Sequence, residues 1–252
     1  MIELLRTQAM KKIEEEDDLA DDQERAKAKK IVNDLLDVAV ETTKAATMDC
    51  GGCLVLKPKA LTAVVGGFVS DGDKLAASIK ELHAFAKSKD TKTPDVNFDA
   101  ETHRNVTFHT ASIALPADAD ANARKILGDP VEVIIGTGKT SAYLAFGKDA
   151  KATLIDVLNA SAEAKDEKVP PVQAYVALLP VMQFVASIDD NPVIASLIET
   201  LKTTEGKDRI TFSLLPTTRG VSVRLALDAG VVATIGQGVR ALAPLLQNMR
   251  PN

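Results

Sequence analysis

At 252 residues and 26.8 kDa the chain has room for one large domain or two small ones, and 46% hydrophobic against 26% charged residues lets it bury a sizeable core. With no Trp, two Tyr and seven Phe it has little to stack on bases, and a formal charge of -5 is wrong for tracking phosphates, so nucleic acid is excluded as a partner. No apolar run reaches the roughly 18 residues of a transmembrane segment, and "MIELLRTQAMKKIEEEDD" lacks the basic, apolar, small-residue order of a signal peptide; read as written, the chain is soluble, and cytoplasmic if Met1 is the true start.

Residues 1–48 are predicted to form a helical hairpin. Ile2, Leu5, Ala9 and Ile13 recur at helical spacing, and Asp21, with Glu24 three residues on, caps a second helix whose inner stripe is Ile31, Leu35, Val38 and Thr42. The acidic run between them, "EEEDDLADDQE", lacks the central Gly of a calcium loop and reads as a solvated turn. From 49 to 252 the pattern changes to an α+β region in which strand, tight turn, strand and helix recur three times, in units of about 50–90, 106–164 and 172–247, read as one continuous structure. A further strand ending in Leu-Pro, then helix, opens the second and third units. Val221, Val223, Leu225 and Leu227 alternate with Ser222, Arg224 and Asp228, which predicts an antiparallel sheet with one face covered by helices such as that carrying Leu75, Ile79, Leu82 and Ala86. Two polar, Pro-marked stretches, 86–105 and 162–171, read as surface connections.

The stretch "IIGTGKTS", residues 134–141, imitates a phosphate-binding loop. That motif needs a Gly five residues before Gly138, where Val133 stands, and must enter a helix, whereas "TSAYLAFG" is a strand pattern. A hairpin turning on Gly138-Lys139 is predicted instead, of type II′, setting Ile135 against Ala142, Val133 against Leu144 and Val131 against Phe146. A like turn on Thr217-Thr218 sets Leu214 against Val221, Phe212 against Val223 and Ile210 against Leu225. Gly236, Gly238 and Ala241 fit a dinucleotide fingerprint, but too little chain follows for the second strand that fold requires, so they read as a closing helix. Cys50 and Cys53 form the one pair with chemical potential. They could be a structural pair, free or disulfide-bonded, half a metal site, or a redox pair, although a redox Cys-x-x-Cys belongs at a helix N-terminus and here Leu54, Val55 and Leu56 continue a strand. His83, His103 and His109 read as isolated, satisfied histidines. No catalytic constellation, cofactor motif or complete metal-ligand set is found, so no enzyme is expected.

The segments "LVLKPKALTAVVGGFVSDGDKL", "HRNVTFHTASIALP", "AYLAFGKDAKATLIDVLNAS" and "VPPVQAYVALLPVMQFVAS" resemble the C-terminal part of uncharacterised, exported planctomycete bacterial proteins, over about residues 10–245. Those relatives begin with a signal peptide and an extra N-terminal region, so the resemblance implies that this chain is a fragment, or a short gene model, of an exported or periplasmic protein. It also implies a setting in which Cys50 and Cys53 would be oxidised, though the pair is not part of the family pattern. No functional residues carry over. The expected function is a non-catalytic extracytoplasmic binding or scaffold protein whose partner is a protein or an apolar small molecule. The alternatives are a carrier of an apolar ligand between sheet and helices, and a thiol-disulfide protein using Cys50 and Cys53.

Overall fold

The computed structural model describes residues 2–16, 19, 21–47, 49–164 and 169–247, with side chains as far as Val239. It is an α+β protein. Helices α1 (Ile2–Glu15) and α2 (Asp22–Lys44) form the expected hairpin, and the Asp21 side chain caps α2 by accepting from the Glu24 amide at 2.7 Å. Ala28, Ile31 and Val38 are the buried positions of α2, and Arg6 ties the pair together by donating to Asn33 at 3.0 Å and Asp37 at 2.8 Å. Leu5, expected on the inner face of α1, is exposed; the half-buried stripe is Ile2, Arg6, Ala9, Met10 and Ile13. Residues 17, 18 and 20 of the acidic run lie outside the described residues.

Contacts divide the chain into two compact units, Met1–Val55 with Thr62–Ala162, and Leu56–Leu61 with Glu163 onward. After the hairpin the first unit runs β1 (Cys50–Lys57), β2 (Ala60–Phe68), α3 (Gly72–Lys89), β3 (Val96–His103), β4 (Val106–Ile113), α4 (Ala121–Leu127), β5 (Val131–Gly138), β6 (Ser141–Gly147) and α5 (Ala150–Glu163). The strands make one six-stranded sheet in the order β1-β2-β6-β5-β4-β3, with β2 antiparallel to β6. One face carries Val64, Ala145, Ile134, Val106 and Phe108 into a core closed by Ala150, Leu154 and Leu158 of α5. By strand alternation His109 and Thr137 point to the other face, and a chain of ring contacts, His109 to Phe98 to His83, leads from it to α3.

Two expectations are corrected here. The polar stretch 86–105 is not a connection throughout, because it holds β3. Its alternation is broken by a bulge between Asn97 and Glu101, where Asp99 adopts φ +53, and that irregularity hid the strand. The second correction concerns register. Ile135 pairs with Leu144 and Val133 with Phe146, so the turn centres on Lys139-Thr140, one residue later than expected. Each residue's partner shifts by two positions, an even number, so the same faces still meet. Gly138 stays in the strand without a left-handed backbone, and a Cβ there would lie 2.5 Å from Ser141 Oγ, so Gly lets the Ser141 hydroxyl pack close.

The second unit runs β7 (Val172–Ala177), α6 (Leu178–Ala186), α7 (Pro192–Lys202), β8 (Arg209–Thr217), β9 (Gly220–Leu227) and α8 (Ala229–Gln247), with an antiparallel sheet ordered β7-β8-β9. Residues 165–168 of the second polar stretch lie outside the described residues. Its hairpin shows the same one-residue slip: Leu214 pairs with Val223 and Phe212 with Leu225, about a turn at Thr218-Arg219. Asp208, itself buried, holds the start of α6 by accepting from the Leu178 amide at its carbonyl (3.0 Å) and the Leu179 amide at its carboxylate (2.7 Å). Ile198 and Leu201 of α7 and Val231 of α8 form the buried helical layer.

Candidate functional site

The imitation phosphate loop faces the wrong way for phosphate. In the β5-β6 turn the carbonyl oxygens of Thr140 and Lys139 accept from the amides of Val69 (3.1 Å) and Gly72 (2.9 Å), which clamps the turn to the start of α3. A phosphate cradle presents amides, whereas this loop presents oxygens to its own chain. Gly236 and Gly238 lie inside α8, in the closing helix expected there.

Cys50 and Cys53 lie exposed on β1 as free thiols. Three extended residues span about 10 Å, beyond the roughly 7 Å Cα separation that a disulfide tolerates, and alternation sends the two side chains to opposite faces. Beside them runs a groove of about 490 Å³ between the sheet and α5, lined by Cys53, Val64, Phe68, Tyr143, Val157 and Ser161 over Gly51 and Gly66. A methyl on Gly66 would run into the Tyr143 ring, while space above Gly51 is open. Where Cys53 lines this groove its thiol loses part of its water, which pushes its pKa up, away from the thiolate that redox chemistry needs.

His109 is almost fully buried, at 1% exposure, and has partners that sequence alone did not supply. Its Nδ1 accepts from the Asp99 amide at 3.1 Å, so the ring is neutral with its proton on Nε2, which donates to Thr137 Oγ1 at 3.0 Å. A hydroxyl nucleophile would need the reverse polarity, with Nε2 accepting the proton. The cluster is therefore a brace between β3, β4 and β5. Burial lowers the pKa of the ring. Of the other two, His83 meets the Pro94 carbonyl at 2.9 Å, and His103 meets Asn159 Oδ1 at 2.9 Å. Among the described residues no group of three or more His, Cys, Asp or Glu side chains could hold a metal ion.

The most unusual surface belongs to the second unit. Across β7-β8-β9 the register aligns Val172 with Leu214 and Val223, Ala174 with Phe212 and Leu225, and Val176 with Ile210 and Leu227, with Pro216 beside Val221 completing one wholly apolar face. That face was expected to lie under helices. Instead Val221, Val223 and Leu225 are 66%, 65% and 65% exposed, while Ser213, on the opposite face, is buried beside the helical layer. On the opposite face Ser213 is buried and Thr211 half-buried while Ser222 and Arg224 stay exposed, and on the apolar face Ile210 and Leu214 are half-buried, so burial does not follow the hydrophobic pattern. Alternation made the apolar face legible, but nothing local marked which face the helices take.

The fold and this surface define a two-sheet α+β protein whose three-stranded sheet leaves an apolar face exposed. Compared with family models, curated proteins and solved structures, the chain matches none of them. Among the described residues no helix is long and apolar enough to cross a membrane.

Proposed function

We propose that this chain is a non-catalytic binding or scaffold protein that docks a partner protein on the bare face of β7-β8-β9, in an extracytoplasmic setting. One observation carries the docking: three strands present a contiguous apolar face, free of charged side chains, on which Val221, Val223 and Leu225 stay about two-thirds exposed. The extracytoplasmic setting rests on the resemblance of the sequence to exported proteins. The order β4-α4-β5-β6-α5 in the first unit and β7-α6-α7-β8-β9-α8 in the second, which differ by one helix, supports copies of one module. A photo-crosslinking residue placed at Val223 in producing cells is expected to give light-dependent adducts, and one at Lys11 on α1 none. Equal yields from both positions, or none from either, would remove the proposal.

A carrier of an apolar ligand is the second proposal, favoured by the groove between the sheet and α5. Delipidated protein should then gain thermal stability with a long-chain fatty acid, and Val157→Lys should abolish the gain; no shift with wild type would rule it out. Thiol-disulfide chemistry at Cys50 and Cys53 has the least support, since the strand separates the thiols and partial desolvation in the groove disfavours the Cys53 thiolate.

A further inference from the structure

We infer that the occupant of the bare face is a second copy of this chain, the two β7-β8-β9 sheets packing face to face across a two-fold axis. The inference rests on the docking proposal above and names its partner. Four features lead to it. The face is apolar in every row of the register, and the charges nearest it sit only at its ends, Arg209 and Asp228 at one and Arg219 at the other. A surface must be self-complementary to meet itself across a two-fold axis, and an uncharged apolar sheet satisfies that without any matched pairs. Interfaces between different proteins are on the whole no more apolar than the rest of their surfaces, whereas interfaces between permanent copies resemble a domain core cut in half. In composition this face is of the second kind.

Area points the same way. From their exposures, Val172, Val176, Phe212, Val223, Leu225 and their row neighbours leave on the order of 500 Å² of apolar side chain in water. Two such faces stacked about 10 Å apart, as sheets stack in sandwiches, cover about 1,000 Å² before any rim is counted, which meets the lower bound for a biological interface, and the rim must supply the rest of what a permanent dimer buries. Other occupants fit less well. A small ligand wants a concavity, and this is an open sheet face. A lipid surface wants a basic rim, and here Asp228 sits beside Arg209 and offsets its charge.

Sedimentation velocity on the full chain at 1–100 μM tests the inference. Wild type is expected to be a dimer, and Val223→Lys and Leu225→Lys are each expected to give monomer with unchanged far-UV circular dichroism, because both side chains lie outside the buried core. Val65→Lys, an exposed apolar position on β2, should leave the dimer intact. A wild-type monomer at 100 μM would overturn the second-copy inference, as would a dimer that survives both lysine variants or is lost equally with Val65→Lys. The docking proposal is read separately: adducts from Val223 in cells alongside a monomeric purified protein would sink the dimer and keep the docking face. No adducts and no dimer would sink both.

Discussion

Replacing Gly72 by Ala adds one methyl group, and the structure fixes where it must go. It would sit on the carbonyl oxygen of Gly138, with that carbonyl carbon 2.9 Å away and the Lys139 oxygen 3.3 Å away. All three are backbone atoms of the β5-β6 turn, so no side chain can swing aside. Relief requires α3 to lift from the turn, which breaks the Gly72 amide bond to Lys139 O. A lost hydrogen bond costs about 1 kcal/mol, and overpacking against a fixed neighbour a further 1–3 kcal/mol, so the variant should lose about 2–4 kcal/mol. For a chain of this size that is a fall in Tm of roughly 4–16 °C. The control is the same substitution at Gly236, inside α8, where a Cβ meets nothing within 4 Å; helix propensity there should raise stability by about 0.5–1 kcal/mol. Urea unfolding of the two variants beside wild type reads both signs. A Gly72→Ala variant within 0.5 kcal/mol of wild type, or two variants shifting in the same direction, would refute the clamp between α3 and the turn.

Burial lowers the pKa of His109 below its ordinary value near 6.5, so the unfolded chain takes up the proton first. Its contribution to stability is therefore complete above about pH 6.5 and lost as the pH falls below it; urea midpoints at pH 7.5 and 5.0 should show the loss in wild type and a smaller one in His109→Gln, and identical losses would show that His109 is not the group responsible. Cys50→Ser with Cys53→Ser should melt within about 1 °C of wild type in both reducing and oxidising buffer, since the strand holds the thiols apart; a reductant-dependent drop in wild type alone would reveal a disulfide. Titration of the chain with ATP and magnesium in a calorimeter should give no binding heat, and saturable heat abolished by Lys139→Ala would restore the phosphate-loop reading.

The sequence marked the elements better than their environment. Strand alternation, the Asp21 cap and the Leu-Pro breaks located the hairpins and most helices, because those signals are local. The register slip in both hairpins has a physical source: Gly138 looked like a turn residue, but the structure uses it for close packing beside Ser141, and a turn on Lys139-Thr140 needs no left-handed glycine. β3 was missed because Asp99 breaks its alternation, and the partner it gains there, His109, lies ten residues away on the next strand. The bare face was visible as Val221, Val223, Leu225 and Leu227, yet a pattern of two cannot say whether helix or solvent lies beyond it. Only the placement of Ser213 beside the helices shows that the apolar side was left outside.

Hydroxyl-radical labelling of Val221, Val223 and Leu225 tests most directly whether this face is a working docking surface. Labelling would be compared between the dilute purified chain and the chain in the cells that make it, with Val65 as the exposed reference. A docking face predicts labelling in the cell reduced several-fold at the three β9 positions and unchanged at Val65. Equal labelling at all four positions in both settings would mean that nothing covers the face, and would contradict the proposed function.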